Sequence, residues 1–198
     1  MHIESETLYH IYNQGNNQET IFLERADYID FLHKIKERIA PFCQIINYCL
    51  MPNHYHFTIN ATEESSELMK LGGININKLT NGFRLLNSLY ANQFNEKYKR
   101  SGSLFRQKTK AKSLEHSNKD YPFICFNYVH QNPIKAGLCE KMEDWEFSSF
   151  RDYWGVRNGK IINKEFAFDL IDISEDKELF YEDSYSNILE DDIKELYL

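Results

Sequence analysis

The sequence predicts an α+β fold: a βαββαβ sandwich, then one further helix that carries the candidate chemistry, then an acidic C-terminal extension. Three observations carry that expectation. Short segments rich in aromatic and β-branched residues alternate with longer stretches of helical period, in the order β-α-β-β-α-β-α. Hydrophobic residues make up 42% of the 198 positions and aromatics 15%, enough to pack one domain with an appendage and too much for a disordered or fibrous chain. The formal net charge of −7 is also unevenly placed. Residues 1–156 hold 18 Lys/Arg against 18 Asp/Glu, whereas residues 157–198 hold 5 against 12. The expected boundary therefore lies between a neutral domain, 1–156, and an acidic extension, 157–198.

The first strand is expected over residues 7–13 (Thr-Leu-Tyr-His-Ile-Tyr-Asn), closed by the turn-forming Gln14-Gly15-Asn16-Asn17. Tyr28, Phe31, Leu32, Ile35 and Ile39 recur at helical spacing within 24–40, and Pro41 ends that helix. Residues 43–50 and 54–60 read as two strands joined by Met51-Pro52-Asn53, a hairpin. Along the second of these, Tyr55, Phe57 and Ile59 point one way and His54, His56, Thr58 and Asn60 the other. Residues 61–73 read as a polar link. The stripe Ile76, Leu79, Phe83, Leu86, Tyr90, Phe94 marks a long amphipathic helix, broken by Ser101-Gly102-Ser103. A weakly alternating strand is expected over 104–114. A last helix is expected over 120–132, with Pro122 in its first turn and Pro133 ending it. This order contains the βαββαβ of a ferredoxin-like sandwich. Phe166, Phe168, Phe180, Tyr181 and Tyr185 make the acidic extension a packed appendage rather than a free tail.

No run approaches the roughly 18–20 apolar residues of a membrane helix. The first residues lack the basic and apolar regions of a secretory signal, and Cys43, Cys49, Cys125 and Cys139 form no Cys-x-x-Cys pair. A reduced, cytoplasmic protein with no membrane partner is expected.

Between Lys97 and Lys119 lie eight Lys/Arg (Lys97, Lys99, Arg100, Arg106, Lys108, Lys110, Lys112, Lys119) against Glu115 alone. Such a block is a footprint for phosphates or simply a solvated face, and charge alone does not choose. His54-Tyr55-His56 places two imidazoles on one face of a strand, where they can converge on a metal ion or stand as two polar groups on a wet sheet. Tyr128 and Asn132, four residues apart, share one face of the last helix. A helix laid over the polar side of the hairpin would bring them beside His54 and His56. A phenol of pKa ~10 is then a usable nucleophile toward a metal-polarised phosphoryl group. Otherwise Tyr128 is one half-buried tyrosine among 13.

Four separated segments break that tie: Tyr9-His10-Ile11-Tyr12-Asn13-Gln14-Gly15-Asn16, Tyr48-Cys49-Leu50-Met51-Pro52-Asn53-His54-Tyr55-His56, Ser101-Gly102-Ser103-Leu104-Phe105 and Tyr128-Val129-His130-Gln131-Asn132-Pro133-Ile134-Lys135-Ala136-Gly137-Leu138. In order and spacing they resemble the single-tyrosine HUH transposases, most of all the REP-associated or insertion-sequence-like branch. Trp145-Glu146-Phe147-Ser148-Ser149-Phe150-Arg151-Asp152-Tyr153 resembles that domain's closing segment, so the resemblance spans about residues 7–155.

The resemblance implies a ferredoxin-like sandwich and a metal-dependent enzyme that nicks and transfers DNA strands through a covalent 5′-phosphotyrosine, leaving a free 3′-OH. It assigns Tyr128 as nucleophile and His54 and His56 as ligands of Mg²⁺ or Mn²⁺. The third ligand would be Asn132, with Gln131 as the alternative and His130 on the wrong side of an ideal helix. The implied partner is single-stranded or hairpin DNA, with Arg100, Arg106, Lys108, Lys110 and Lys112 as candidate contacts. Members act as monomers or as homodimers that exchange the tyrosine helix, and both remain open. Gln14 stands where the family commonly has Arg, and Ser103 where His is common, which touches DNA contacts more than chemistry. The competing function is a non-catalytic or domesticated DNA- or RNA-binding module, which has no need of His54, His56 and Tyr128 together. A purely structural metal site lacks the spacing for a closed four-ligand shell.

Overall fold

A computed structural model describes residues 1–115 and 120–196. The elements run β1 (Leu8–Gln14), α1 (Arg25–Arg38), β2 (Cys43–Met51), β3 (His54–Ala61), α2 (Glu63–Ser66), β4 (Leu68–Leu71), β5 (Ile74–Asn77), α3 (Lys78–Lys97), β6 (Lys110–Ser113), α4 (Tyr121–Lys135), α5 (Phe150–Tyr153), α6 (Lys164–Leu170), α7 (Lys177–Ser184) and α8 (Glu190–Glu195). Four strands form one antiparallel sheet in the order β2-β3-β1-β6, and β4 with β5 makes a separate hairpin. Among the described residues no helix is long and apolar enough to cross a membrane.

Strand periodicity divides the sheet's side chains between two cores. Tyr9 and Ile11 of β1 and Tyr55, Phe57 and Ile59 of β3 join Phe31 and Ile35 of α1 and Phe83, Leu86 and Tyr90 of α3 in the first. Each fully buried aromatic there contributes about 1.5–3 kcal/mol of burial. The opposite face is covered too. Ile46, Cys49 and Met51 of β2 pack with Cys125, Phe126 and Val129 of α4 and with Phe150, Phe180 and Leu196. Strand β2, nearly all apolar, is thus buried on both sides. Residues 157–196 belong to this second core through Ala167, Ile171, Ile173, Phe180, Ile188 and Leu196.

Helices α1 and α3 meet at Gly82. A Cβ there would sit 2.4 Å from the Arg38 carbonyl oxygen, a backbone atom that cannot rotate aside. Alanine gains about 1 kcal/mol of helix propensity at this position, but overpacking against fixed backbone costs about 1–3 kcal/mol. Gly82→Ala is expected to lower the thermal midpoint by several degrees, at about 2–4 °C per kcal/mol, as followed by circular dichroism. A raised midpoint would mean that the helices move apart freely.

Four local differences from the sequence expectation have physical causes. The polar link 61–73 holds α2 and most of the β4–β5 hairpin, whose turn uses Gly72 (φ 55°) and Gly73 (φ 84°). Ile76 belongs to β5, because Asn77 caps α3 by accepting from the Thr80 N–H at 2.8 Å. Of the strand expected over 104–114 only Lys110–Ser113 pairs with β1; Phe105 forms an isolated bridge to Gly15. Helix α4 passes through Pro133 to Lys135. Proline forfeits one N–H bond, but its carbonyl still accepts from the Leu138 N–H at 2.9 Å while the Gly137 N–H reaches Ile134 at 2.8 Å. Gly137 at φ 69° closes the helix.

Candidate functional site

Strand β3 presents His54, His56, Thr58 and Asn60 on the face away from the first core, and α4 lies across that face. His56 is 1% exposed and Thr58 fully buried, with Thr58 Oγ1 3.5 Å from Cys125 Sγ of α4. This face of the sheet is therefore not wet. The His54 and His56 rings are 4.9 Å apart between centroids, at 83°. The Tyr128 ring stands edge-on to His56 at 5.5 Å and to His10 at 6.0 Å. Asn132, one turn further on, donates through Nδ2 to the Tyr128 carbonyl at 2.7 Å, and its side chain also hydrogen-bonds His54.

The two alternatives to Asn132 point elsewhere. Gln131 Nε2 donates to the carbonyls of Ser184 and Ser186, both at 2.8 Å, and His130 Nε2 lies 2.9 Å from Ser149 Oγ.

Burial sets the charge state of the cluster. Desolvation pushes His54 down to about 4, opposed by the Asn132 hydrogen bond, and pushes His10 down to about 4, opposed by the Leu196 carbonyl. His56 is held well below the usual imidazole range by burial first and then by His10 and His54 beside it. All three are neutral at pH 7, the form in which imidazole binds a metal. Among the described residues no cluster of three or more His, Cys, Asp and Glu could hold a metal ion. The available donors are two imidazoles and the Asn132 amide oxygen, which leave positions for oxygen ligands from water or a phosphate. Such an open set fits a catalytic divalent ion and does not fit a closed structural site.

The site opens into a groove of about 690 Å³, lined by Tyr12, His54, His56, Arg106, Lys108 and Lys110 among others. The 106–110 segment is shared with a second groove of about 730 Å³ along α3, faced by Asn87, Asn92 and Asn95. Lys110 and Lys112 lie opposite Tyr12 and His10 in the β1–β6 register, so both belong to the site's face of the sheet. Arg100 is not brought there: it pairs with Glu19 at 2.5 Å and Asn95 at 2.9 Å. Lys97 is committed to Glu24 and Asp27. Lys119 of the same basic block lies outside the described residues. Gln14 lines the groove, whereas Ser103 donates to the Phe105 carbonyl at 2.6 Å in a local turn.

Reasoning from the sequence missed His10, Tyr12 and Lys135. His10 and Tyr12 alternate with Tyr9 and Ile11 on β1, and only the pairing of Tyr12 opposite His56 places them at the site. Lys135, two turns beyond Tyr128, puts Nζ 5.9 Å from its ring centroid, and burial lowers its pKa.

No protein-family model matches the chain. A Haemophilus influenzae Rd protein named "Putative REP-associated tyrosine transposase" is 25% identical over 131 residues, covering 61% of this chain and 69% of that one. A solved REP-associated tyrosine transposase bound to a REP hairpin superposes with a TM-score of 0.56 at 18% identity, over 82% of this chain and 91% of that one. The resemblance carried by the motifs thus holds in both comparisons, one by sequence and one by fold.

Proposed function

We propose that this chain cleaves and rejoins single-stranded DNA as a tyrosine transposase of the REP-associated type. The observation that carries the reading is the Tyr128 ring packed edge-on against His56, beside a groove walled by Arg106, Lys108 and Lys110. The named relative and the hairpin bound to the structural neighbour support DNA as the substrate, and hairpin-forming ends as its form. Strand order β2-β3-β1-β6, with the β4–β5 hairpin set aside, supports classing the sandwich as ferredoxin-like. Residues 1–156 then form the catalytic domain and 157–198 its acidic extension.

His54, His56 and Asn132 would hold a divalent ion, Mg²⁺ or Mn²⁺, which when bound offsets the charge that develops on the phosphoryl oxygens. The groove's cations hold the strand by its phosphates. Tyr128 Oη attacks the scissile phosphorus; the Oη–P bond forms as the P–O3′ bond breaks. The phenol gives up its proton and the departing 3′ oxygen takes one, so no net proton is consumed. The Lys135 ammonium over the Tyr128 ring favours the phenolate-like charge of that transition state. Reversal by a different 3′-OH rejoins strands. One observation favours the non-catalytic reading: Tyr128 is 6% exposed.

A covalent-adduct assay separates the two. Labelled hairpins from DNA flanking the gene, incubated with Mg²⁺ or Mn²⁺ and run on a denaturing gel, are expected to give a metal-dependent adduct that maps to Tyr128. Tight hairpin binding with no adduct would favour the binding module. The contribution of the basic groove has its own test. Replacing Lys108, Lys110 and Lys112 together by Ala is expected to weaken binding across all sequences and to reduce the log–log salt slope by about 2, from roughly 0.7 per phosphate contact on single strands. An unaltered slope would remove these lysines from the DNA path.

A further inference from the structure

We infer that His10 is a positioning residue for His56, and that the backbone carbonyl of Leu196 fixes the proton order that makes it one. This deepens the proposed reading and rests on His56 being a metal ligand. His10 Nδ1 lies 3.2 Å from the Leu196 carbonyl oxygen, and His10 Nε2 lies 2.9 Å from His56 Nδ1. A carbonyl oxygen can only accept, so His10 carries its ring proton on Nδ1. A neutral imidazole has one such proton, so His10 Nε2 accepts, and the proton between the rings belongs to His56 Nδ1. The tautomer of His56 follows: its lone pair is on Nε2, the nitrogen that would serve as ligand. The His10 and His56 ring planes are within 17° of each other, so the shared hydrogen bond also fixes the rotation of the His56 ring.

The anchor of this chain is well held. Leu196 is the C-cap of α8, where carbonyls lack helical partners and the His10 N–H supplies one. Leu196 is 1% exposed in the second core, and the neighbouring Glu195 carboxylate accepts from the Tyr121 hydroxyl of α4. The extension thereby reaches the candidate site through a main-chain atom, the Leu196 carbonyl oxygen. A histidine ligand whose other nitrogen donates to a fixed acceptor is more basic and better aimed, and loss of such a partner costs about 10–100-fold in metal affinity.

The first measurement needs no variant. Long-range ¹H–¹⁵N correlation of the histidine rings in the metal-free protein is expected to show His10 and His56 both protonated on Nδ1. Mn²⁺ binding by calorimetry is then compared for the unaltered chain, His10→Phe and His10→Gln. Phenylalanine keeps the ring and deletes both nitrogens; glutamine can accept from His56 and donate to Leu196. The expected result is a 10–100-fold loss in His10→Phe. His10→Gln should recover most of it, and hairpin affinity in chelator should stay within about twofold for both variants. Protonation of His56 on Nε2, unweakened Mn²⁺ binding by His10→Phe, or equal loss in the two variants would each overturn the relay while leaving the metal site standing. No Mn²⁺ uptake by the unaltered protein would overturn both.

Discussion

Replacing Tyr128 by Phe is expected to remove the covalent DNA adduct entirely and to leave hairpin affinity within about twofold. The substitution deletes Oη, the atom that bonds to phosphorus in the proposed reaction. It retains the ring that packs against His56 and His10 and sits under Lys135, so the fold keeps nearly all of that residue's burial. Losing a hydroxyl costs stability on the order of 1 kcal/mol, whereas losing a nucleophile costs about 10³-fold or more in rate. A denaturing gel reads the difference directly. Adduct at the unaltered yield would assign the nucleophile to another residue.

The second large effect belongs to the paired histidines. His54→Ala combined with His56→Ala is expected to abolish metal-dependent cleavage, a loss of about 10³-fold or more, while hairpin binding in chelator persists through Arg106, Lys108 and Lys110. Cleavage by the unaltered protein that continues undiminished in chelator would end the metal role. The single variants separate chemistry from packing. His54 is the more exposed of the two and sits at the groove, so His54→Ala should cost metal affinity with little change in thermal midpoint. His56 is 1% exposed and bonded to His10, so His56→Ala should cost metal affinity and lower the midpoint as well.

Much of this arrangement can be read from local pattern. The alternation of Tyr55, Phe57 and Ile59 with His54, His56 and Thr58 places the imidazoles on one strand face, and the four-residue step from Tyr128 to Asn132 gives the helix face that meets them. What escapes is whatever depends on long-range register. Nothing near His10 in sequence indicates His56, 46 positions away; the β1–β3 pairing makes them neighbours. The basic block is legible as charge but not as surface, because Lys97 and Arg100 are consumed by Asp27 and Glu19 while Arg106, Lys108 and Lys110 face the groove. The β4–β5 hairpin hides in a stretch whose glycines and polar residues resemble a link. Pro133 resembles a stop because the compensating bonds of Gly137 and Leu138 form only once the helix has ended.

The bond from His10 to Leu196 spans 186 positions, which ties the site to the order of synthesis. His10 leaves the ribosome 186 positions ahead of Leu196, and at about 5–20 residues per second the carbonyl that orders its proton follows many seconds later. Until then the His56 tautomer is unset. In the proposed reading, an enzyme that attaches itself covalently to DNA is thereby translated in a form whose metal ligand, His56, is ordered only when α8 folds back onto β1.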